Sequence, residues 1–148
     1  MEQCILVAII LTVVLVYIIL AYIHYPKAKI SEPIKNQILN SGLIHFTMNE
    51  SAHSIQKEGL LTGKAKAMYP WEKNFVWMYI NDDNSFQEKI DEIHKKGHRK
   101  KYDTVVIFSE IDEHQIEQMK YRKKDMAIVH CGTFKTGKIS VSAIDYLD

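Results

Sequence analysis

The sequence predicts an α+β fold, in which an N-terminal transmembrane helix precedes one small domain of short strands with inserted helices. Three short stretches rich in β-branched and aromatic residues indicate strands: residues 75–80, 104–108 and 127–131. Segments with helical patterns lie between them, without the regular spacing of βαβ units. This irregular order of strands and helices favours an α+β domain over a doubly wound parallel sheet.

The N-terminal segment is the most apolar part of the chain. Residues 4–23 contain no charged residue, and a helix of that length would be ~30 Å long, which matches the hydrocarbon core of a bilayer. A cleaved signal peptide is the alternative, but no basic residue precedes the apolar run and residues 21–23 make a poor cleavage site. We therefore predict an uncleaved anchor in residues 1–25, which contacts membrane lipid through residues 4–23.

The charges that flank the anchor predict its orientation. Lys27, Lys29 and Lys35 follow the helix, whereas Glu2 precedes it. The positive-inside rule then gives a single-pass protein of the cell membrane with its C-terminal domain in the cytoplasm. The chain has two cysteines, one of them in the apolar segment. They cannot form a disulfide framework, which agrees with a reducing compartment.

A juxtamembrane segment joins the anchor to the domain. Residues 26–42 contain two prolines and mixed charge, and they are predicted to form a linker with a short helix. The domain is predicted over residues 43–148. At about 100 residues it is long enough for one hydrophobic core and too short for two ordinary domains.

The stretch that begins the domain is predicted to organise it. An apolar run leads to His45, and Thr47 and Glu50 have the T-x-x-E spacing of a capping box, which would start a helix there. Gly59 and Leu60 suit the end of that helix. His45 is therefore expected where a strand ends and a helix begins, a position from which side chains can contact a ligand.

These residues carry a resemblance to a known family. His45-x-Thr47, an isoleucine eight residues after the threonine, and the following Gly-Leu resemble the opening motif of the ADP-ribosyltransferase superfamily. The nearest members in style are small bacterial and phage proteins, namely the DNA-targeting ADP-ribosyltransferase toxins and the RNA 2′-phosphotransferases. The resemblance covers residues 44–144. It implies an ADP-ribosyltransferase-like domain, NAD as substrate, and a bacterial or phage toxin or defence factor.

The resemblance also implies roles for particular residues. A first-strand histidine of the family hydrogen-bonds the ribose of NAD, which gives that role to His45, with Phe46 and Thr47 beside it in the NAD site. An aromatic residue stacks on the nicotinamide, and Tyr79 in the second core strand is the candidate. A late-strand glutamate completes the family pattern, but the late strand here contains no glutamate and Asp125 is the closest acid. The implied catalytic residues are therefore His45, Tyr79 and Asp125.

The missing glutamate leaves the chemistry open. The chain is either an NAD-dependent ADP-ribosyltransferase that modifies a protein or nucleic acid, or a catalytically inactive, membrane-tethered interaction module with the same fold. In the pattern of the RNA 2′-phosphotransferases, Arg122 or Lys124 would bind a phosphate in place of the acid. A third alternative is a single-pass protein whose domain is only structural.

One segment of the domain concentrates positive charge. The whole chain has 19 Lys and Arg against 18 Asp and Glu, but a single segment carries five basic residues: Lys95, Lys96, Arg99, Lys100 and Lys101. This segment is a candidate contact for anionic lipid or nucleic acid, and a solvated turn is the alternative. His94 and His98 lie four residues apart within it, but Gly97 interrupts the helix, so we predict a solvated helix end and no metal site.

Overall fold

The computed structural model describes residues 2–60, 62 and 70–146, without the side chains of residues 2–4, 70, 71 and 124. In this part of the chain, an N-terminal helix precedes an α+β domain with a seven-stranded antiparallel sheet. The α+β prediction is confirmed.

The N-terminal helix α1 runs over Glu2–His24. Its segment Ile5–His24 has a mean hydropathy of 3.0, and none of it is buried against the described part of the domain. A continuous exposed apolar surface of this size requires a bilayer or another apolar environment to cover it. The helix therefore has the length and composition that crossing a membrane requires.

The domain contains seven strands and four further α-helices in the described residues. The strands are β1 Ala28–Lys29, β2 Leu43–Thr47, β3 Phe75–Ile80, β4 Thr104–Ser109, β5 Met119–Arg122, β6 Ala127–Cys131 and β7 Lys138–Ala143. The helices are α2 Glu32–Ser41, α3 Asn49–Glu58, α4 Asp83–Lys95 and α5 Glu113–Glu117. The strand order across the sheet is β1-β5-β6-β3-β2-β4-β7.

Helices cover the two faces of the sheet with separate clusters of apolar side chains. Side chains alternate along a strand, so Leu43 and Ile44 of β2 point to opposite faces. Leu43 packs in the larger cluster with Ile38 of α2 and Ile55 of α3. Ile44 packs in a second cluster beneath α4. Residues 26–42, predicted as a linker with a short helix, contain α2 and also the edge strand β1, which pairs with β5.

The start of α3 differs from the prediction. The prediction of a capping box at Thr47 and Glu50 is wrong. Strand β2 runs through Thr47, and the helix begins at Asn49, with Met48 as an N-cap that makes no side-chain bond. The carboxylate of Asp103 takes over this role: its Oδ1 accepts the N–H of Asn49 at 2.8 Å. The predicted end of the helix is correct, since Gly59 has a φ of +89° and donates to the last turn.

Candidate functional site

The site lies where the two central strands separate. Strand β2 pairs with β4 along its whole length, but it pairs with β3 only at Leu43 and Ile44. Beyond these two residues β3 follows β6, with which it pairs over residues 75–78. A gap therefore opens inside the sheet between the C-terminal half of β2 and the N-terminal half of β3.

The side chain of His45 occupies the start of this gap. Its Nδ1 lies 2.8 Å from the backbone carbonyl oxygen of Trp77. If β2 and β3 continued to pair, Trp77 would lie opposite Phe46. A carbonyl oxygen can only accept, so Nδ1 carries the proton. In the neutral ring, Nε2 is then a hydrogen-bond acceptor. Burial lowers the pKa of His45 below its usual 6.5 and outweighs the opposing effect of the Trp77 carbonyl, so the neutral form is favoured.

A cavity of about 470 Å³ adjoins His45. This volume is within the range of roughly 300–1,000 Å³ that is typical of small-molecule sites. The cavity is lined by β2, β3, α3, the 3-10 turn before β3 and the segment before β4. Its polar and aromatic residues are His45, Phe46, Thr47, Glu50, Ser51, Ser54, Glu72, Lys73, Phe75, Trp77, Lys101 and Tyr102. Phe46 and Thr47, which the resemblance places in the NAD site, both line it.

Of the two β3 residues Trp77 and Tyr79, only Trp77 lines the cavity. Tyr79 lies in the part of β3 that still pairs with β2. Its ring packs against Phe46, with the ring centroids 6.1 Å apart, and the Lys89 ammonium lies 4.7 Å from its centroid. Trp77, two residues earlier on the same face, borders the gap. The structure therefore does not bring Tyr79 together with His45 in the cavity.

Asp125 also lies outside the cavity. It ends the 3-10 turn between β5 and β6, and its Oδ2 is 2.9 Å from Nε of Arg122. No described residue of this turn or of β6 lines the cavity. The strand register explains this position. The start of β6 lies beside the C-terminal end of β3, past the Met78–Ile128 pair, whereas the cavity borders the N-terminal end of β3. Asp125 is therefore an ion-pair partner of Arg122, and the structure does not bring it together with His45 in the cavity.

Sequence reasoning missed two carboxylates of the cavity, Glu50 and Glu72. Glu50 is exposed in the first turn of α3. Asp103 accepts a hydrogen bond from the start of that helix, so Glu50 does not have the capping role that its spacing predicts. It forms no hydrogen bond or ion pair with any other described side chain. The one signal for Glu50 in the sequence is its distance of five residues from His45.

The basic segment is divided between two environments. Nζ of Lys96 lies 2.5 Å from Oε1 of Glu92, and Arg99 contacts the ring of His94. Lys101 lines the cavity, whereas Lys95 and Lys100 are exposed. Ion pairing and the cavity therefore reduce the free basic surface that the sequence predicts. On the opposite side of β3, the guanidinium of Arg122 lies 5.1 Å from the ring centroid of Trp77; the side chain of Lys124 is outside the described residues.

Comparisons of the chain with protein-family models, curated proteins and solved structures find no significant match. Within the described ranges, no group of three or more His, Cys, Asp or Glu side chains could hold a metal ion. The chemistry of the cavity is therefore inferred from its own residues.

The lowered pKa of His45 leads to an expected dependence of stability on pH. In the range between the pKa of the folded state and 6.5, the unfolded chain binds more protons at this residue. The free energy of unfolding is therefore expected to be largest above pH 6.5 and to fall as the pH drops below it. Denaturant titrations of the detergent-solubilised chain at pH 7.5 and at pH 5.5 would measure this.

The variant His45→Asn separates this effect from other titrations. Glu50, Glu72, Lys73 and Lys101 also line the cavity and remain in the variant. The part of the pH dependence due to His45 is the difference between the two chains. An equal loss of stability in both on acidification would contradict a neutral, partly buried His45.

Proposed function

We propose that the chain is a single-pass membrane protein whose cytoplasmic domain binds NAD as a substrate and transfers its ADP-ribose group to a protein or nucleic acid. The observation that carries this proposal is the separation of β2 and β3 around His45. It opens a cavity beside a neutral imidazole on the strand where the family resemblance places the ribose-binding histidine.

The residues of the cavity fit the chemical groups of NAD. The ribose hydroxyls are donors, and Nε2 of His45 is an acceptor. The diphosphate carries negative charge, and Lys73 and Lys101 supply positive charge. The two flat rings require aromatic or apolar walls, which Trp77 and Tyr102 provide. The backbone carbonyl of Tyr102 accepts a hydrogen bond from the hydroxyl of Tyr146, which helps to hold this wall in place.

Cleavage of the bond between nicotinamide and ribose passes through an oxocarbenium-like state, which a nearby carboxylate stabilises. We assign this role to Glu50, because it lines the same cavity as His45 and has no partner among the described side chains. It would replace the late-strand glutamate of the family. His45 would orient the ribose by accepting from a hydroxyl, and it would not need to change its protonation.

The membrane orientation is part of the same proposal. The apolar helix α1 ends at His24, and Lys27 and Lys29 follow it in exposed positions. The positive-inside rule then directs the domain to the cytoplasm, where NAD is available. Protease protection in inverted and right-side-out membrane vesicles would test the orientation: the domain should be cleaved only where the cytoplasmic side faces outward.

A catalytically inactive, membrane-tethered interaction module is the second candidate. It is favoured by the position of Asp125, which is paired with Arg122 outside the cavity, and by the absence of a described β6 residue from the cavity wall. Such a module would bind a nucleotide or a partner without breaking a bond. NAD binding without transfer of label would distinguish it from the enzyme.

Calorimetric titration of NAD into the full chain in lipid nanodiscs tests the proposal. The wild-type chain is expected to bind, and His45→Ala and Lys101→Ala are each expected to weaken binding by about tenfold or more, as loss of a polar or charged contact does. Incubation with labelled NAD and a cytoplasmic extract should then transfer label to a macromolecule.

Tyr79→Phe is the matched control, since Tyr79 lies outside the cavity, and its affinity for NAD should equal that of the wild type. Lys101→Ala also serves as a second test should His45→Ala misfold. Lys101 is exposed, so its substitution should leave the domain folded. Absence of NAD binding by the folded wild-type chain would rule out the proposal.

A further inference from the structure

The juxtamembrane segment is built into the domain. Strand β1 pairs antiparallel with β5 at the edge of the sheet, with Ala28 opposite Tyr121 and Lys29 opposite Lys120. Pro26 is buried, and the ring of Tyr25 contacts Phe75 edge-on, with the centroids 5.6 Å apart. The segment after α1 is therefore held against the sheet and is not a free tether.

This arrangement fixes how far the β1–β5 edge can lie from the end of α1. Lys29 follows His24 by five residues, so at ~3.6 Å per residue it lies within ~18 Å of the helix end. Lys120 is the direct cross-strand neighbour of Lys29. It comes almost a hundred residues after the helix, and only the fold brings it to this edge.

Four lysines gather at the edge, and we call them the edge lysines: Lys27, Lys29, Lys120 and Lys123. None of them forms an ion pair with a described carboxylate. Asp125, the acid closest to Lys123 in sequence, is paired with Arg122. Lys35, by contrast, is already paired with Glu113 at 2.6 Å. The edge therefore presents four lysines that form no ion pair with a described carboxylate, close to the end of an apolar helix.

We infer that the β1–β5 edge docks on an anionic membrane leaflet through the edge lysines. The lipid headgroups are the occupant that fits, because α1 brings the edge within reach of a bilayer and the surface potential of an anionic leaflet acts over about a Debye length, ~8–10 Å. The basic segment at Lys95 and Lys100 has no such connection to the helix. The inference rests on the proposed membrane anchorage of α1 but is independent of NAD binding.

The native thiol of Cys131 offers a probe for docking. Cys131 is exposed and lies opposite Phe75, whose ring contacts Tyr25 at the end of α1. The full chain with Cys4→Ser would be labelled at Cys131 with a fluorophore and reconstituted into vesicles whose headgroups carry a nitroxide quencher. Stronger quenching is expected in vesicles with phosphatidylserine than in pure phosphatidylcholine, and high salt should remove the difference.

Charge reversal isolates the edge lysines. Lys120→Glu with Lys123→Glu leaves the residues that flank α1 unchanged, so it does not alter the signals for membrane orientation. Loss of each lysine should cost about fivefold, and the added glutamates repel the leaflet, so the ratio of docked to undocked domain should fall by roughly 25-fold or more. Lys95→Glu with Lys100→Glu changes the net charge equally and should leave quenching unchanged.

Extraction with alkaline carbonate separates the two levels of the inference. A chain that is released by carbonate is not anchored, and this result would overturn docking together with the anchorage. A chain that stays in the membrane but shows equal quenching in both lipids would overturn docking alone. Loss of quenching only in the Lys95 and Lys100 variant would assign the lipid contact to the basic segment and also contradict the inference.

Discussion

Replacement of Gly42 by alanine is expected to destabilise the domain by roughly 3 kcal/mol or more, at the upper end of what single substitutions cost. Gly42 joins α2 to β2 with a φ of +80°, a conformation that L side chains rarely adopt. A Cβ at this position would lie 2.4 Å from the backbone carbonyl oxygen of Phe108. Phe108 is held there because it pairs with Leu43 in the β2–β4 ladder, so the clash must displace backbone.

Gly97→Ala is the matched control for this prediction. Gly97 also has a positive φ, +66°, but no described atom beyond its two chain neighbours lies within 4 Å of a Cβ built there. Its cost should be limited to the backbone conformation, about 1–2 kcal/mol. Denaturant midpoints of the two variants and the wild type would give both values. Equal costs at the two positions would show that the close approach to Phe108 has no effect.

Strands that contain three or more consecutive apolar residues could be predicted from the sequence. Strands β3, β4 and β6 are of this kind, because both faces of each strand pack against helices or against other segments of the domain. Strand β5 escapes prediction: in Met-Lys-Tyr-Arg only Met119 is fully buried, and the other three residues are half-buried. Strand β1 has two residues and depends entirely on β5 for its pairing. Strand β1 is an edge strand whose partner lies far along the chain, and β5 is a short strand between β1 and β6.

The candidate site was predicted in part, for a similar reason. His45 is correctly placed on the first core strand, because local sequence specifies the strand and the helix after it. The choice between Trp77 and Tyr79 depends on the residue at which β2 and β3 stop pairing, which no local pattern records. The prediction of a capping box is wrong because the group that bonds the start of α3 is Asp103, 54 residues after Asn49.

Glu50→Gln is expected to reduce ADP-ribosyl transfer by about a hundredfold or more, the usual effect of removing a group that stabilises transition-state charge. Its effect on NAD binding should be small, because the positive charge on the ribose develops only in the transition state. The substitution preserves shape, and Glu50 makes no bond with other described side chains, so stability should be unchanged. Rates of label transfer and calorimetric affinities, measured on the same preparations, would separate the two effects.

Asp125→Asn is the control that distinguishes the cavity carboxylate from the acid nearest the late strand. Its loss should weaken the ion pair with Arg122, and the rate of transfer should not change, because β6 begins at the end of β3 that does not border the cavity. If Asp125→Asn abolished transfer and Glu50→Gln did not, the catalytic carboxylate would have to reach His45 from the β5–β6 turn. That movement would require the β3–β6 register to change. The pair of variants therefore tests whether the gap between β2 and β3 is the reaction site or only a place where NAD binds.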